Sequence, residues 1–109
     1  MEEYTVDITE AAYEDLKAIR AHIADELKSP LNAAKQIERI AGEILSLDIL
    51  PERYSVVEAE PWRSRGIRHM PVNNYTVFYL IKGNCVIVTD ILYSASDLIA
   101  RLRKQSGEN

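Results

Sequence analysis

The hydrophobic and polar positions of the chain follow two different periods within its first thirty residues. In residues 4–8 they alternate, with Tyr4, Val6 and Ile8 on one side, which is typical of a strand with one buried face. Beyond Thr9, apolar residues recur every three or four positions, the spacing of one helix face: Ala12, Leu16, Ile19, Ile23 and Leu27. The pattern predicts a short first strand and then an amphipathic helix that Thr9 caps.

A second helix with the same spacing follows an interruption at Lys28-Ser29-Pro30. Ser29 is suited to cap this helix, and Pro30 fits its first turn, where a missing N–H costs little. The apolar positions of the second helix are Ala33, Ile37, Ile40, Ile44 and Leu47. Pro51 marks its end, so the two helices are predicted to form an antiparallel hairpin.

Three further strands are predicted in the second half of the chain: Ile67–Val72, Tyr75–Ile81 and Cys85–Tyr93. Because their connections are short, we expect them to be antiparallel neighbours in a meander. The two longer strands do not alternate cleanly, which indicates that both sheet faces are covered. The helical hairpin would cover one face, and a partner is a candidate for the other.

The region after Tyr93 predicts a short terminal helix, capped by Ser94 or Ser96, with Leu98, Ile99 and Leu102 on one side. Residues 105–109 are expected to be a frayed tail. The fold class is therefore α+β, with an N-terminal strand, a helical hairpin, a three-stranded antiparallel meander in one sheet and a short C-terminal helix. Residues 1–104 are predicted to form a single domain.

The composition restricts the function classes. A net charge of −4 argues against a protein that coats nucleic acid with a broad basic face. No apolar run approaches the ~20 residues that span a bilayer, and the N-terminus lacks the features of an export signal, so a cytoplasmic location is expected. Two separated histidines and the single Cys85 give no metal-ligand spacing, and no glycine-rich phosphate loop is present. We therefore expect neither a metal nor a cofactor.

Several short motifs together resemble the RelE/ParE superfamily, the toxins of type II toxin–antitoxin modules, once called plasmid stabilisation proteins. They are a strand that ends in Thr9, a helical hairpin closed by Leu50-Pro51-Glu52-Arg53, a strand that runs from Arg68 to Met70, and two strand signatures. These signatures are Val72-x-Asn74-Tyr75-x-Val77-Phe78-Tyr79 and Val88-x-x-Ile91-Leu92-Tyr93-x-x-x-Asp97. The resemblance covers Tyr4 to Asp97, and it rests on the order of the motifs because none is specific alone.

The resemblance implies a small toxin that a cognate antitoxin neutralises by wrapping its surface with a segment that orders on binding. It also implies a hetero-oligomer with that antitoxin, and contact with operator DNA only through it. ParE-like members inhibit DNA gyrase by binding it and have no catalytic site. RelE-like members are ribosome-dependent mRNA endonucleases. A third possibility is a weakly toxic or non-toxic member that acts mainly by binding the antitoxin.

RNA cleavage without a metal needs a base for the 2′-hydroxyl, a cation for the phosphate and an acid for the leaving oxygen. RelE-like enzymes carry basic residues after the tyrosine of the central strand and in the C-terminal loop. The corresponding position here is Thr76, and residues 93–97 contain no basic residue. These two departures favour the ParE-like interpretation.

Arg68 and Tyr93 remain as candidate catalytic residues if the chain is an endonuclease. The candidate residues for binding a substrate or a target are Arg63, Arg65, His69 and Tyr75. Each has an alternative role: pairing of the arginines with Glu58, Glu60 or the antitoxin, partial burial of His69, and core packing of Tyr75. Asp90 lies in an apolar strand and needs a partner, for which Arg68 on a neighbouring strand is the natural candidate.

Overall fold

The structure is a computed structural model that describes residues 3–26 and 28–94. Within them, four strands form one sheet: β1 (Thr5–Ile8), β2 (Arg68–Val72), β3 (Tyr75–Lys82) and β4 (Cys85–Tyr93). The helices are α1 (Glu10–Glu26), α2 (Pro30–Leu45) and α3 (Trp62–Arg65), with two 3₁₀ turns at Ser46–Asp48 and Pro51–Arg53. The predicted α+β class is confirmed. The terminal helix and the frayed tail predicted after Tyr93 lie outside the described residues.

Both long helices begin where the sequence predicts. The Thr9 hydroxyl accepts the N–H of Ala12 at 3.1 Å, and the Ser29 hydroxyl accepts the N–H of Asn32 at 3.3 Å. Pro30 is the first residue of α2. Each cap satisfies a backbone donor that has no partner inside its helix.

The strand order of the sheet is β1-β4-β3-β2. The last three strands pair antiparallel in chain order, as the short turns predict. β1 pairs with β4 in parallel, with Thr5 opposite Cys85 and Ile8 opposite Val88. The helical hairpin lies in the long connection that leads from β1 to the rest of the sheet, as a parallel pair requires.

Two groups of apolar side chains cover the two sheet faces. The larger, the helix-side core, joins α1 and α2 to one face, and its strand members include Met70, Val77, Tyr79, Val88 and Ile91. The smaller, the outer-face cluster, consists of Val57, Trp62, Ile67, Phe78 and Leu92. The segment before β2 therefore covers part of the face for which a partner was expected. It includes α3, whose four residues were too few for a periodicity to predict it.

A β-bulge in β4 is held by side chains of α1 and of its N-terminal cap. Phe78 pairs with Asp90 while Tyr79 pairs with Val88, so Thr89 is an extra residue, a β-bulge. The Thr9 hydroxyl donates to the Thr89 carbonyl at 3.3 Å, and the Asp15 carboxylate accepts the N–H of Ile91 at 3.0 Å. Asp15, on the polar side of α1, therefore binds the sheet.

None of the helices in residues 3–26 and 28–94 has the length and apolar character needed to cross a membrane.

Candidate functional site

The two candidate catalytic residues lie level with opposite ends of the ladder between β2 and β3. Arg68 is paired with Tyr79, the last residue of β3 in that ladder, whereas Tyr93 is paired with Tyr75, the first residue of β3. Four residue steps along β3 separate the two backbone positions by about 13 Å along the strand direction. We name them the clamped end (Arg68 and Tyr79) and the open end (Tyr75 and Tyr93). The structure thus does not bring Arg68 and Tyr93 together.

At the clamped end, two side chains from the sheet hold the backbone of residues 49–54, which we call the Pro51 turn. Arg68 Nη1 donates to the carbonyl oxygens of Glu52 at 3.1 Å and of Tyr54 at 2.6 Å. The Tyr79 hydroxyl donates to the Pro51 carbonyl at 2.6 Å from a fully buried position. Burial raises the pKa of Tyr79 to about 12. This phenol is a structural donor that solvent does not reach.

Arg53 fixes the same turn from the other side. Its Nη1 donates to the carbonyl of Ile49 at 2.6 Å, and its Nη2 donates to the Ser46 hydroxyl at 2.9 Å. Within the turn, Leu50 has φ 50° and ψ 55°, the left-handed region. This conformation costs a residue with a Cβ about 1 kcal/mol or more. The hydrogen bonds of Arg53, Arg68 and Tyr79 keep the backbone in place despite that cost.

The open end combines an exposed tyrosine with a buried one. Tyr93 is 48% exposed, and its ring meets that of Tyr75 edge-to-face, with centroids 5.6 Å apart and an interplanar angle of 65°. Tyr75 is buried, as the core-packing alternative predicts, and burial raises its pKa. Thr76, the residue in place of the basic side chain of RelE-like enzymes, is buried and its hydroxyl lies 2.7 Å from that of Ser94.

The remaining candidates lie on or beside the outer face. Arg63 and Arg65 are exposed on α3, and His69 is exposed on β2, where it pairs with Phe78 of the outer-face cluster. Within the described residues, no ion pair joins the arginines to Glu58 or Glu60. Glu60 instead accepts the N–H and the hydroxyl of Ser64, which lowers the pKa of its carboxyl group.

The proposed pairing of Arg68 with Asp90 is wrong. Residues that pair across a ladder share a sheet face, and consecutive residues of a strand face opposite sides. Arg68 pairs with Tyr79, which packs in the helix-side core, whereas Asp90 pairs with Phe78, which packs in the outer-face cluster. The two side chains therefore leave the sheet in opposite directions.

The sequence pattern alone does not single out Tyr79 and Arg53, which help to define the clamped end. Tyr79 occurs there only within a strand signature, and Arg53 only within the Leu50-Pro51-Glu52-Arg53 motif. That motif was the available signal, because a proline turn with free carbonyls needs donors from elsewhere. In the part of the chain that the structure describes, no group of three or more His, Cys, Asp or Glu side chains could hold a metal ion.

Comparison with known proteins decides the family. A family model described as the ParE toxin of the type II toxin–antitoxin system, parDE, matches residues 6–98. The chain belongs to the ParE toxin family. No curated protein shows significant similarity to it.

Solved structures show the same fold for this ParE-family chain. A structure described as the chromosomal ParDE TA system from P. aeruginosa is 21% identical, with a TM-score of 0.70, over 84% of this chain and 96% of that one. The RelBE2 toxin–antitoxin complex from Mycobacterium tuberculosis is 22% identical, with a TM-score of 0.59, over 88% and 97%. The YoeB dimer from Staphylococcus aureus is 13% identical, with a TM-score of 0.58, over 84% and 97%. These likenesses establish the RelE/ParE-like fold.

Proposed function

We propose that this ParE-family chain is a toxin that inhibits DNA gyrase by protein–protein contact. In this proposal a cognate antitoxin neutralises the toxin. The observation that carries the proposal is the separation of Arg68 from Tyr93. Cleavage of RNA needs the cation, the base and the acid within hydrogen-bond reach of one phosphodiester. Among the described residues, the backbone positions of the candidate cation and the candidate phenol are four steps, about 13 Å, apart along the strand direction.

The hydrogen bonds of Arg68 support the same conclusion. Its guanidinium is half-buried, and Nη1 donates to two backbone carbonyls, so this part of the group serves the Pro51 turn and only Nε and Nη2 remain to contact a phosphate. The Tyr79 phenol beside it is fully buried, and its pKa of about 12 makes it a poor acid and a poor base near neutral pH. Arg68 and Tyr79, a cation and a phenol that lie side by side, thus have a structural role.

The charge of the chain agrees with a protein target better than with a ribosomal RNA surface. The net charge is −4, and a protein that docks on the RNA-rich ribosome normally presents a basic face. The exposed Arg63, Arg65 and His69 are few and lie on one side of the sheet. We propose them as contacts to the target, where single exposed arginines serve as anchors.

The partner that regulates the toxin is proposed from the family and from the structures of similar fold. The P. aeruginosa ParDE system and the M. tuberculosis RelBE2 complex both pair a toxin with an antitoxin. For this chain we propose a cognate antitoxin, a hetero-oligomer of the two proteins, and contact with operator DNA through the antitoxin alone. We propose that both partners act in the cytoplasm.

A RelE-like endonuclease is the second candidate, and one observation favours it. Tyr93 exposes half of its ring at the open end, beside Tyr75, where it could stack on a base or donate a proton. This alternative requires a cation other than Arg68 near Tyr93. A weakly toxic or non-toxic member that mainly binds the antitoxin is the third candidate.

Induced expression of this chain alone separates the three candidates. Protein synthesis, mRNA integrity and plasmid supercoiling are followed in the same culture. We expect loss of negative supercoiling while translation initially continues. Early arrest of translation with cleaved mRNA would establish the endonuclease, and normal growth would establish the third candidate.

A further inference from the structure

Three apolar side chains are exposed together where α2 passes into the Pro51 turn. Leu45 is 64% exposed, Ile49 38% and Leu50 57%, and we call these three residues the apolar tip. The carbonyl oxygens of Ser46, Ile49 and Leu50 all lie within 3.4 Å of Arg53 Nη1. One nitrogen therefore gathers the backbone of Ile49, of Leu50 and of Ser46, the residue that follows Leu45.

The tip is held rigidly in a conformation that a leucine adopts at a cost. Leu50 has a positive φ, which asparagine and glycine adopt more readily than leucine does. Its side chain is mostly exposed, so burial within this chain does not offset the strain. Tyr79, Arg68 and Arg53 nevertheless fix the backbone on both sides of it. A strained, exposed and well-fixed apolar side chain is a feature that folding alone does not explain.

The shape of the tip restricts its partner. Leu45 and Leu50 are each more than half exposed, so a partner must surround them to bury their apolar surface. A segment that folds on binding is itself an apolar ridge and needs a groove. A projecting tip needs a concave, preformed pocket, which a folded protein supplies.

The charges around the tip restrict the partner further. Asp48 precedes Ile49, and Glu52 follows Pro51. Glu3 adjoins them, because the N–H of Tyr4 donates to the Asp48 carbonyl at 2.7 Å. Arg53 is the basic residue of the turn, and its guanidinium is directed at backbone carbonyls. The rim of the tip is therefore acidic, and a complementary pocket is rimmed by lysine or arginine.

We propose that the apolar tip enters an apolar pocket with a basic rim on the folded target protein. The inference rests on the proposed function, in which that target is DNA gyrase. Leu50 is the central anchor, and Glu52 makes the charged contact at the rim.

The test substitutes Leu50 by asparagine, which removes the apolar side chain and suits the left-handed backbone. Purified chain is titrated into a supercoiling reaction with purified gyrase and relaxed plasmid, and its affinity for gyrase is measured directly. We expect Leu50→Asn to inhibit about tenfold more weakly or worse, as loss of a central anchor does. Its melting temperature should equal or exceed that of the wild type because the strain is relieved. Glu52→Lys should weaken binding severalfold.

Leu31→Asn is the matched control, because Leu31 is 68% exposed at the opposite end of α2. It should inhibit gyrase like the wild type. A Leu50→Asn variant that inhibits like the wild type would overturn the role of the tip while leaving the proposed function intact. The role of the tip would also be overturned if Leu50→Asn lost only antitoxin binding, or only the self-association measured by sedimentation. A wild-type chain that does not inhibit gyrase would overturn the proposed function itself, and the tip's role at gyrase with it.

Discussion

The clamped and the open ends of the sheet use similar side chains for different purposes. At the clamped end, the Arg68 guanidinium and the Tyr79 hydroxyl donate to three carbonyls of the Pro51 turn. At the open end, Tyr93 is half-exposed, and its ring meets that of Tyr75 edge-to-face. The fold can thus separate a cation and a phenol that are both candidate catalytic groups in the sequence. Arg68 holds a turn, whereas Tyr93 is exposed.

The largest expected effect is at Arg68. Replacing it by alanine leaves two carbonyls of the Pro51 turn without their charged donor. We expect the free energy of unfolding to fall by about 2–3 kcal/mol, measured by urea denaturation. Arg65→Ala, which removes an exposed arginine of α3, should change it by less than about 0.5 kcal/mol. An Arg68→Ala variant that kept wild-type stability would contradict the clamped end as described.

Tyr79→Phe is expected to have the next largest effect. It removes one hydroxyl and leaves the Pro51 carbonyl without that donor in a buried position, so stability should fall by about 1–2 kcal/mol. Tyr93→Phe removes a hydroxyl of the same kind at the open end and is the matched control. Equal losses in the two variants would remove the distinction between the two ends.

The titration of Tyr79 gives a pH-dependent form of the same prediction. Its pKa rises from 10.0 to about 12 on folding, so the folded state favours the neutral phenol. The stability due to this difference is fully present below pH 10 and is lost as the pH rises through 10 towards 12. Urea denaturation across this range should show a steeper decline for the wild type than for Tyr79→Phe. Identical slopes would mean that the phenol does not titrate differently on folding.

Thr76→Val tests the polar contact of the open end. The substitution keeps the volume and removes the hydroxyl that lies 2.7 Å from that of Ser94. We expect a loss of about 1 kcal/mol, measured by thermal denaturation. Thr5→Val, on the exposed face of β1, should be close to neutral. A neutral Thr76→Val would show that Ser94 is not bound there.

The smallest expected effect is that of Tyr93→Ala. The loss of one edge-to-face contact at a half-exposed ring should cost about 1 kcal/mol or less. Toxicity on induction should be unchanged, because the proposed function gives Tyr93 no chemical role. An inactive but fully folded Tyr93→Ala variant would favour the endonuclease.

The sequence was informative where structure is local. Periodic spacing predicted α1 and α2, the Thr9 and Ser29 caps were placed correctly, and short turns predicted the β2–β3–β4 meander. The parallel pairing of β1 with β4 and the bulge at Thr89 depend on contacts between distant segments, which a local pattern does not contain. α3 has only four residues and therefore leaves no periodic signal.

The candidate site was predicted less well for the same reason. Arg68 was identified as functional because its residue type suits phosphate, but its partners are backbone carbonyls, which carry no signature in the sequence. The expected pairing of Arg68 with Asp90 is wrong because side chains alternate along each strand, which places these two on opposite faces of the sheet. The roles of Arg63, Arg65, His69, Tyr75 and Tyr93 in binding or catalysis stay predictions.

The most direct test of the account compares the two activities with one preparation of purified wild-type chain. The chain is added to a gyrase supercoiling reaction and to a translating extract in which mRNA cleavage is mapped, each with and without the cognate antitoxin. The account predicts inhibition of supercoiling that the antitoxin reverses, with intact mRNA. Cleaved mRNA with unaffected gyrase would contradict it and would require a catalytic cation outside the clamped end.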